Sequence, residues 1–134
     1  EQTTIRLSTN DGLTGYRIKK FEAMPANPAN DNLECVLQIW KTSASTAGAT
    51  ATEIDFSDLN MLGALYIEDY SATEHVFNKD TVIFDREIFN QDIFITQTAS
   101  TSSNGINYYL ELEVIKLDIS TATVATLKDM RSSE

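Results

Sequence analysis

Apolar and polar residues alternate along much of this chain, with the period that half-buried β-strands show. The segment Leu33–Lys41 is the strongest example. One of its faces holds Leu33, Cys35, Leu37 and Ile39, and the other holds Glu34, Val36, Gln38 and Trp40. Because the second face also carries two apolar residues, we expect this strand to be covered on both sides, either by an extension of the chain or by a neighbouring subunit.

The N-terminal region predicts a β-hairpin over residues 3–21. Alternation in Thr3–Thr9 stops at the turn signal Asn10-Asp11-Gly12 and resumes in Leu13–Phe21. Residues 22–32 contain both prolines and predict a loop, since a residue before proline is pushed away from helical geometry.

Further short strands are predicted in the rest of the chain. They are Glu53–Phe56, Met61–Asp69, Thr81–Phe84, Gln91–Thr98 and Ile106–Leu117. In the last strand, the face that we expect in the core holds Leu110, Leu112 and Val114. The apolar positions then change parity to Ile115, Leu117 and Ile119. This change predicts a β-bulge or a passage from one buried face to another.

The C-terminal segment has helical spacing instead. Ser120 is a suitable N-cap, and Val124, Leu127 and Met130 recur every three residues. Eight strand candidates and one terminal helix predict an all-β fold, an antiparallel β-sandwich or jelly roll with a short C-terminal helix. We expect one domain over residues 1–134, with 1–9 as an N-terminal arm and 120–134 as helix and tail.

Composition narrows the functional classes. With 42% hydrophobic and 22% charged residues the chain is typical of a globular domain. Its formal net charge of −10 argues against nucleic-acid partners and against anionic membrane surfaces, which both select clustered Lys and Arg. No apolar run approaches the roughly 20 residues of a membrane-spanning helix.

Reactive side chains are scarce. The single cysteine, Cys35, excludes an intrachain disulfide and is expected to be a core thiol, and the single histidine, His75, lies in a polar segment. Two clusters of acidic residues could supply oxygen ligands to a cation such as Ca²⁺, but neither has the spacing of an EF-hand, and we interpret both as loop surface. One cluster is Asp85, Glu87 and Asp92, and the other is Glu53, Asp55 and Asp58. We therefore expect neither an enzyme nor a bound cofactor or metal.

Aromatic and charged residues suggest contacts with other molecules. Trp40 and Tyr109 are expected to point away from the main core, which suits a protein interface or a sugar-stacking platform, whereas Tyr108 is expected in the core. Residues 1–20 carry a local charge of +2 and residues 53–118 a local charge of −10. This polarity either orients subunits towards each other or is ordinary surface charge.

Two stretches of the chain resemble a known group of proteins. TTIRLSTNDGLTGYRIKKF near the start, and NYYLELEVIKLD followed by TATVATLKDMR near the end, resemble small proteins encoded by marine bacteriophages and associated with virion structure. The resemblance covers nearly the whole chain except its loops, and its motifs carry no catalytic meaning. It implies a virion (capsid) protein, either a decoration (cement) protein or a compact jelly-roll coat subunit, since the usual tailed-phage shell protein is longer.

These observations predict a structural protein that contacts shell subunits and copies of itself. The alternative is a carbohydrate-binding β-sandwich module that recognises a surface glycan. The interface candidates are Arg6, Arg17, Lys19, Lys20, Val36, Trp40, Tyr109, Val124, Leu127 and Met130.

Overall fold

The computed structural model describes residues 2–7, 13–26, 33–42, 54–70, 76–99, 105–118 and 124–127. Within them lie seven strands: β1 (Gln2–Ile5), β2 (Thr14–Pro25), β3 (Leu33–Trp40), β4 (Met61–Tyr70), β5 (Val76–Ile83), β6 (Ile93–Ala99) and β7 (Ile106–Lys116). Residues 124–127 form a short helix, α1.

All strand pairs are antiparallel and form two sheets. Five strands are ordered β1-β6-β3-β4-β5, and the other two form a separate β2–β7 ribbon. Among the described residues the sheets do not close into a barrel. The predicted all-β sandwich with a short C-terminal helix is therefore confirmed, with seven described strands in place of eight candidates.

The main core lies between the two sheets. The five-stranded sheet contributes the alternating side chains of β3 predicted above, together with side chains of β4 and β6. The ribbon contributes mainly side chains of β2. The buried residues of the main core include Leu33, Cys35, Leu37, Ile39, Leu65, Ile67, Ile93, Ile95, Ile18 and Phe21. Since apolar burial is the main favourable term in folding, this cluster holds the two sheets together.

The predicted N-terminal hairpin is wrong. β1 pairs with β6, from Gln2 opposite Thr96 to Ile5 opposite Ile93, and β2 pairs with β7. The chain beyond β1 is also fastened to its own subunit, since the Leu7 N–H donates to Asp92 Oδ1 at 2.6 Å. Local alternation shows which side chains share a face, but it does not select the partner strand. The turn expected at residues 10–12 lies outside the described residues.

Strand β2 extends further than predicted, through Pro25. The Ala26 N–H donates to the Gly105 carbonyl at 2.8 Å, so the preceding pair, Pro25 and Ile106, does not exchange backbone hydrogen bonds. Proline has no N–H to donate, and at this position the ladder requires none. The loop prediction is therefore wrong for residues 22–25, while residues 27–32 lie outside the described residues.

The predicted strand at residues 53–56 is also wrong in its described part, because residues 54–60 form turns. Asp55 Oδ1 accepts the Ser57 N–H at 2.9 Å, and Asp58 Oδ1 accepts the Asn60 N–H at 2.9 Å. Such side-chain bonds to the backbone two residues ahead stabilise turns in competition with a strand. Strand β5 begins at Val76, five residues before the predicted Thr81.

Strand β7 confirms one prediction and corrects another. Leu110 and Leu112 pack partly buried against the main core, but Val114 is 67% exposed, so its placement in the core was wrong. The change of parity is a passage to a second buried face. There Ile115 and Leu117 pack in a separate cluster with Ala125 of α1.

Candidate protein interface

Two of the four predicted basic residues, Arg17 and Lys19, are paired with an acid of the same chain. Arg17 Nη2 lies 3.0 Å from both carboxylate oxygens of Glu113, and Lys19 Nζ lies 3.1 Å from Oε2. The hydrogen bonds from Lys19 and Arg17 hold the pKa of Glu113 below its usual range. Part of the positive charge of the N-terminal region therefore meets Glu113 within the subunit. Arg6 and Lys20 are exposed, and Lys20 lies opposite Glu111 in the ribbon.

A second ion pair joins the ribbon to the five-stranded sheet. Lys79 Nζ of β5 contacts Glu22 Oε2 of β2, and this hydrogen bond lowers the pKa of Glu22. Counting Arg17, Lys19, Lys20 and Lys116 against Glu22, Glu111 and Glu113, the ribbon carries a local charge of +1. The ribbon is thus close to neutral in a strongly acidic chain.

Trp40 is not a surface residue, which corrects its choice as an interface candidate. The side chain is 2% exposed and packs away from the main core with Met61, Ala64, Phe84 and Phe94. The second face of β3 is therefore covered at Gln38 and Trp40, as predicted for the strand, and at Trp40 the described side chains of this chain contribute to the cover. Val36 on the same face is half-buried opposite Tyr66.

The aromatic side chains do not form one platform among the described residues. Tyr108 and Tyr109 are 38% and 57% exposed, but as neighbours in a strand they point to opposite faces. The expected burial of Tyr108 is therefore wrong. Tyr66, on the other sheet, donates its hydroxyl to Glu68 Oε2 at 2.8 Å, which raises the pKa of Tyr66 well above its usual value.

Acidic side chains near the turns have local roles. Asp55, Asp58 and Asp92 each accept a backbone N–H, and the hydrogen bonds from Ser57 lower the pKa of Asp55. Glu87 Oε2 lies 3.0 Å from Lys41 Nζ, whose side chain is only 5% exposed. Among the described residues no group of three or more His, Cys, Asp and Glu side chains is arranged to hold a metal ion.

Cys35 lies in the main core, as predicted, at 1% exposure. Burial raises the pKa of its thiol to about 11. Since the thiolate is the reactive form, this cysteine is a packing residue. His75 lies outside the described residues.

Helix α1 is docked on its own subunit. Ala125 is buried against Leu117, and Asn90 Nδ2 donates to Thr126 Oγ1 at 3.0 Å. The candidates Val124 and Leu127 point outward, at 53% and 57% exposure. Met130 lies outside the described residues.

An apolar groove of about 310 Å³ is the feature that sequence reasoning missed. It lies where the turns of residues 54–60 meet the end of β5. Its lining residues are Phe56, Asp58, Leu59, Met61, Ile83, Phe84, Asp85, Arg86 and Glu87, and we call it the Phe56 groove. Phe56 and Phe84 pack edge to face with ring centroids 5.7 Å apart. The signal was present in Phe56 and Leu59, apolar residues in a turn segment that also holds Asp55 and Asp58.

A smaller pocket of about 240 Å³ lies beside the ribbon, lined by Arg17, Ile18, Lys19, Asp85 and Arg86. Glu113 and Asp85 offset most of its positive charge. We assign it no ligand.

No described helix is long and apolar enough to cross a membrane. Comparison of the chain with protein-family models, with curated proteins and with solved structures finds no match.

Proposed function

We propose that this chain is a structural protein of a bacteriophage virion, a capsid decoration protein or small coat subunit that acts through protein–protein contacts. The observation that carries the proposal is the Phe56 groove. Leu59 is 85% exposed and Phe56 52% exposed, and both adjoin the groove. Apolar side chains gathered around a concave surface are characteristic of interaction sites.

The rim of the groove indicates the chemistry of its partner. Asp58, Asp85, Arg86 and Glu87 line the groove beside its apolar residues, and Lys41 is paired with Glu87, which leaves an excess of one carboxylate. An apolar side chain flanked by Lys or Arg, on a segment of a neighbouring shell subunit, matches both the floor and the rim. Charge complementarity of this kind sets partner choice and orientation.

The groove is built on well-anchored backbone. The Lys41 N–H donates to the Asn60 carbonyl at 2.8 Å, and the Phe84 N–H donates to the Leu62 carbonyl at 2.9 Å. These bonds fasten the turns of residues 54–60 and the end of β5 to the five-stranded sheet. A site that is formed before binding loses less conformational freedom when its partner arrives.

The test uses particles of the phage that encodes the chain, prepared without it. Purified wild-type chain is mixed with these particles and sedimented, and we expect it to co-sediment at a fixed ratio to the shell subunit. Leu59→Lys places a cation where we expect a basic partner, and it should weaken binding at least about tenfold. Met24→Lys is the matched control, because Met24 is 64% exposed and lies on the ribbon.

Two results would contradict the proposal. One is a wild-type chain that stays in the supernatant at every concentration. The other is a Leu59→Lys variant that binds as tightly as Met24→Lys.

Carbohydrate binding has less support. Sugar-binding platforms stack rings on neighbouring aromatic side chains, and here Trp40 is buried while Tyr66 and Tyr109 lie on different sheets. Binding of the wild-type chain to a glycan array, lost in Tyr109→Ala, would favour this alternative.

A further inference from the structure

Among the described strands, one edge of the ribbon is open. Within the described residues β7 pairs with β2 alone. The Leu117 N–H donates to the Leu13 carbonyl at 2.7 Å, and the Ala26 N–H donates to the Gly105 carbonyl at 2.8 Å. Inward and outward backbone groups alternate in an antiparallel pair. Every second residue of β7, from Ile106 to Lys116, therefore directs its N–H and C=O away from β2, and we call this row the β7 edge.

Two further observations agree with this assignment of outward-facing residues in β7. Tyr16 of β2 lies opposite Val114 and exchanges both backbone hydrogen bonds with Phe89, at 2.8 and 3.0 Å, on the side away from β7. The register of the ribbon shifts between Ile18 and Lys20, so the extra residue of this β-bulge is in β2. The alternation of inward and outward residues along β7 therefore continues unbroken.

Side chains along the β7 edge remain partly uncovered. They lie on the ribbon face that packs on the main core, where the β2 residues Ile18 and Phe21 are 0% and 2% exposed. On β7 the same face is 38% exposed at Tyr108 and 67% exposed at Val114. The apolar surface thus continues past the last strand of the sheet.

The outer edges of the five-stranded sheet are protected in ways that β7 is not. β1 is only four residues long, and β5 carries Lys79 and Asp80 in its exposed middle. Short edges and charged side chains are the usual defences against pairing with another chain. β7 is eleven residues long, its charges Glu111 and Glu113 lie in the row that faces β2, and the only charge in its outward row is the terminal Lys116. On β5 the charges Lys79 and Asp80 are adjacent, so one of them lies in the outward row at mid-strand.

We propose that the β7 edge pairs antiparallel with the β7 edge of a second copy of this chain, which joins two ribbons into one four-stranded sheet across a two-fold axis. This deepens the proposed function by naming the self-association surface, and it rests on the chain acting through protein–protein contacts. Strand addition of this kind obtains its affinity from main-chain hydrogen bonds and its specificity from flanking side chains.

A second copy fits because charge does not oppose it at this place. The whole chain carries −10, so most pairs of surfaces would repel. The ribbon carries only +1, and Glu113 is already paired with Arg17 and Lys19. Two ribbons can therefore approach each other with little electrostatic cost.

The charges also select the register. Pairing centred on Leu110 places Leu110 opposite its own copy, Tyr108 opposite Leu112, and Ile106 opposite Val114. Moving the centre towards the C-terminus by one residue places Glu111 opposite Glu111, and moving it by two places Glu111 opposite Glu113. Like charges directly opposite each other destabilise a sheet. Moving the centre towards the N-terminus avoids these contacts but shortens the paired segment of β7, so the register centred on Leu110 is favoured.

The experiment measures self-association of the full chain by sedimentation velocity between about 0.1 and 100 µM, a range that brackets a micromolar dissociation constant. We expect a monomer–dimer equilibrium in the wild type. Val114→Lys should weaken dimerisation at least about tenfold, because it places a charge within the paired edge. Met24→Lys, with equal charge change at a similarly exposed site, and Leu59→Lys should dimerise as the wild type does.

Amide hydrogen exchange resolved by residue distinguishes this edge from any other dimer contact. In the wild type the amides of Tyr108, Leu110 and Leu112 should become protected as concentration rises. Those of Tyr109 and Glu111, which already face β2, should remain protected throughout. A wild-type chain that stays monomeric, equal dimerisation of Val114→Lys and Met24→Lys, or exchange at Leu110 that ignores concentration would each overturn the inference. None of these results bears on whether the chain binds particles through the Phe56 groove.

Discussion

The indole N–H of Trp40 donates to Thr96 Oγ1 at 3.1 Å, between two side chains that are both buried. Trp40 belongs to β3 and Thr96 to the neighbouring β6, on the sheet face that points away from the main core. This hydrogen bond gives the polar atom of a large aromatic residue its partner in the interior, which allows that face to be packed with apolar side chains.

Removing the acceptor should therefore be costly. We expect Thr96→Val to lower the free energy of unfolding by about 1–3 kcal/mol, since it keeps the shape and leaves the indole N–H unpaired. Thr96→Ser keeps an acceptor and should cost less. Urea denaturation followed by the fluorescence of Trp40, the only tryptophan, measures both. Equal stability of Thr96→Val and the wild type would show that the bond contributes nothing.

The Lys41–Glu87 pair should respond unequally to loss of its two members. Glu87→Gln removes the carboxylate that pairs with Lys41, whose side chain is only 5% exposed. This substitution should lower the free energy of unfolding by about 1–2 kcal/mol. This is less than for a fully buried pair, because Glu87 is 42% exposed and screened by water. Lys41→Met removes the charge together with the pair and should cost less than Glu87→Gln. Thermal denaturation of the two variants gives the order, and the reverse order would contradict the prediction.

The stabilisation that Glu113 gives through its ion pairs should be lost in acid. Lys19 and Arg17 depress the pKa of this carboxyl in the folded state, so the folded protein binds its proton less readily than the unfolded chain does. The resulting stabilisation is present above the ordinary pKa of 4.5 and is lost as the pH falls through the lower folded value. Glu113→Gln should lower the melting temperature at pH 7 and make its decline below about pH 5 shallower.

Glu111→Gln is the control for this pH profile. It makes the same change of charge on the same strand, outside the ion pairs formed among the described residues. The prediction fails if the two variants have the same melting temperatures from pH 3 to pH 7.

Phe21 and Val114 differ sharply in burial although both belong to the ribbon. Phe21→Ala should cost about 3–5 kcal/mol, as expected for emptying a buried aromatic position. Val114→Ala should change stability by no more than about 0.5 kcal/mol when measured in dilute monomer, because this side chain is 67% exposed. A large loss of stability in Val114→Ala would show that Val114 is buried in the core, as its position in the sequence pattern predicted.

Cys35 should be protected from alkylation. At pH 8, raising the thiol pKa from 9.0 to about 11 lowers the thiolate fraction about 100-fold, and burial also blocks access. Iodoacetamide labelling followed by mass spectrometry should therefore be at least about 100-fold slower in the native protein than in the urea-unfolded chain. Labelling rates of the native and unfolded protein within tenfold of each other would mean that β3 opens frequently.

The sequence by itself determined the strands that are dense in apolar residues at alternating or successive positions. β3, β4 and β7 lie close to their predicted bounds, and Cys35 is buried as its position in the pattern requires. The reason is local, because successive side chains of a strand point to opposite faces and burial of one face selects the pattern. The antiparallel sandwich followed from the number and spacing of such segments.

Only the tertiary structure decided which strands pair and how far each face is covered. β1 and β2 looked like a hairpin, yet each pairs with a strand distant in sequence, since long-range burial outweighs a local turn signal. Val114 has the alternation of a core residue but lies at the uncovered edge of a two-strand ribbon. The Phe56 groove arises where a turn meets the end of a distant strand, and no local pattern records that meeting.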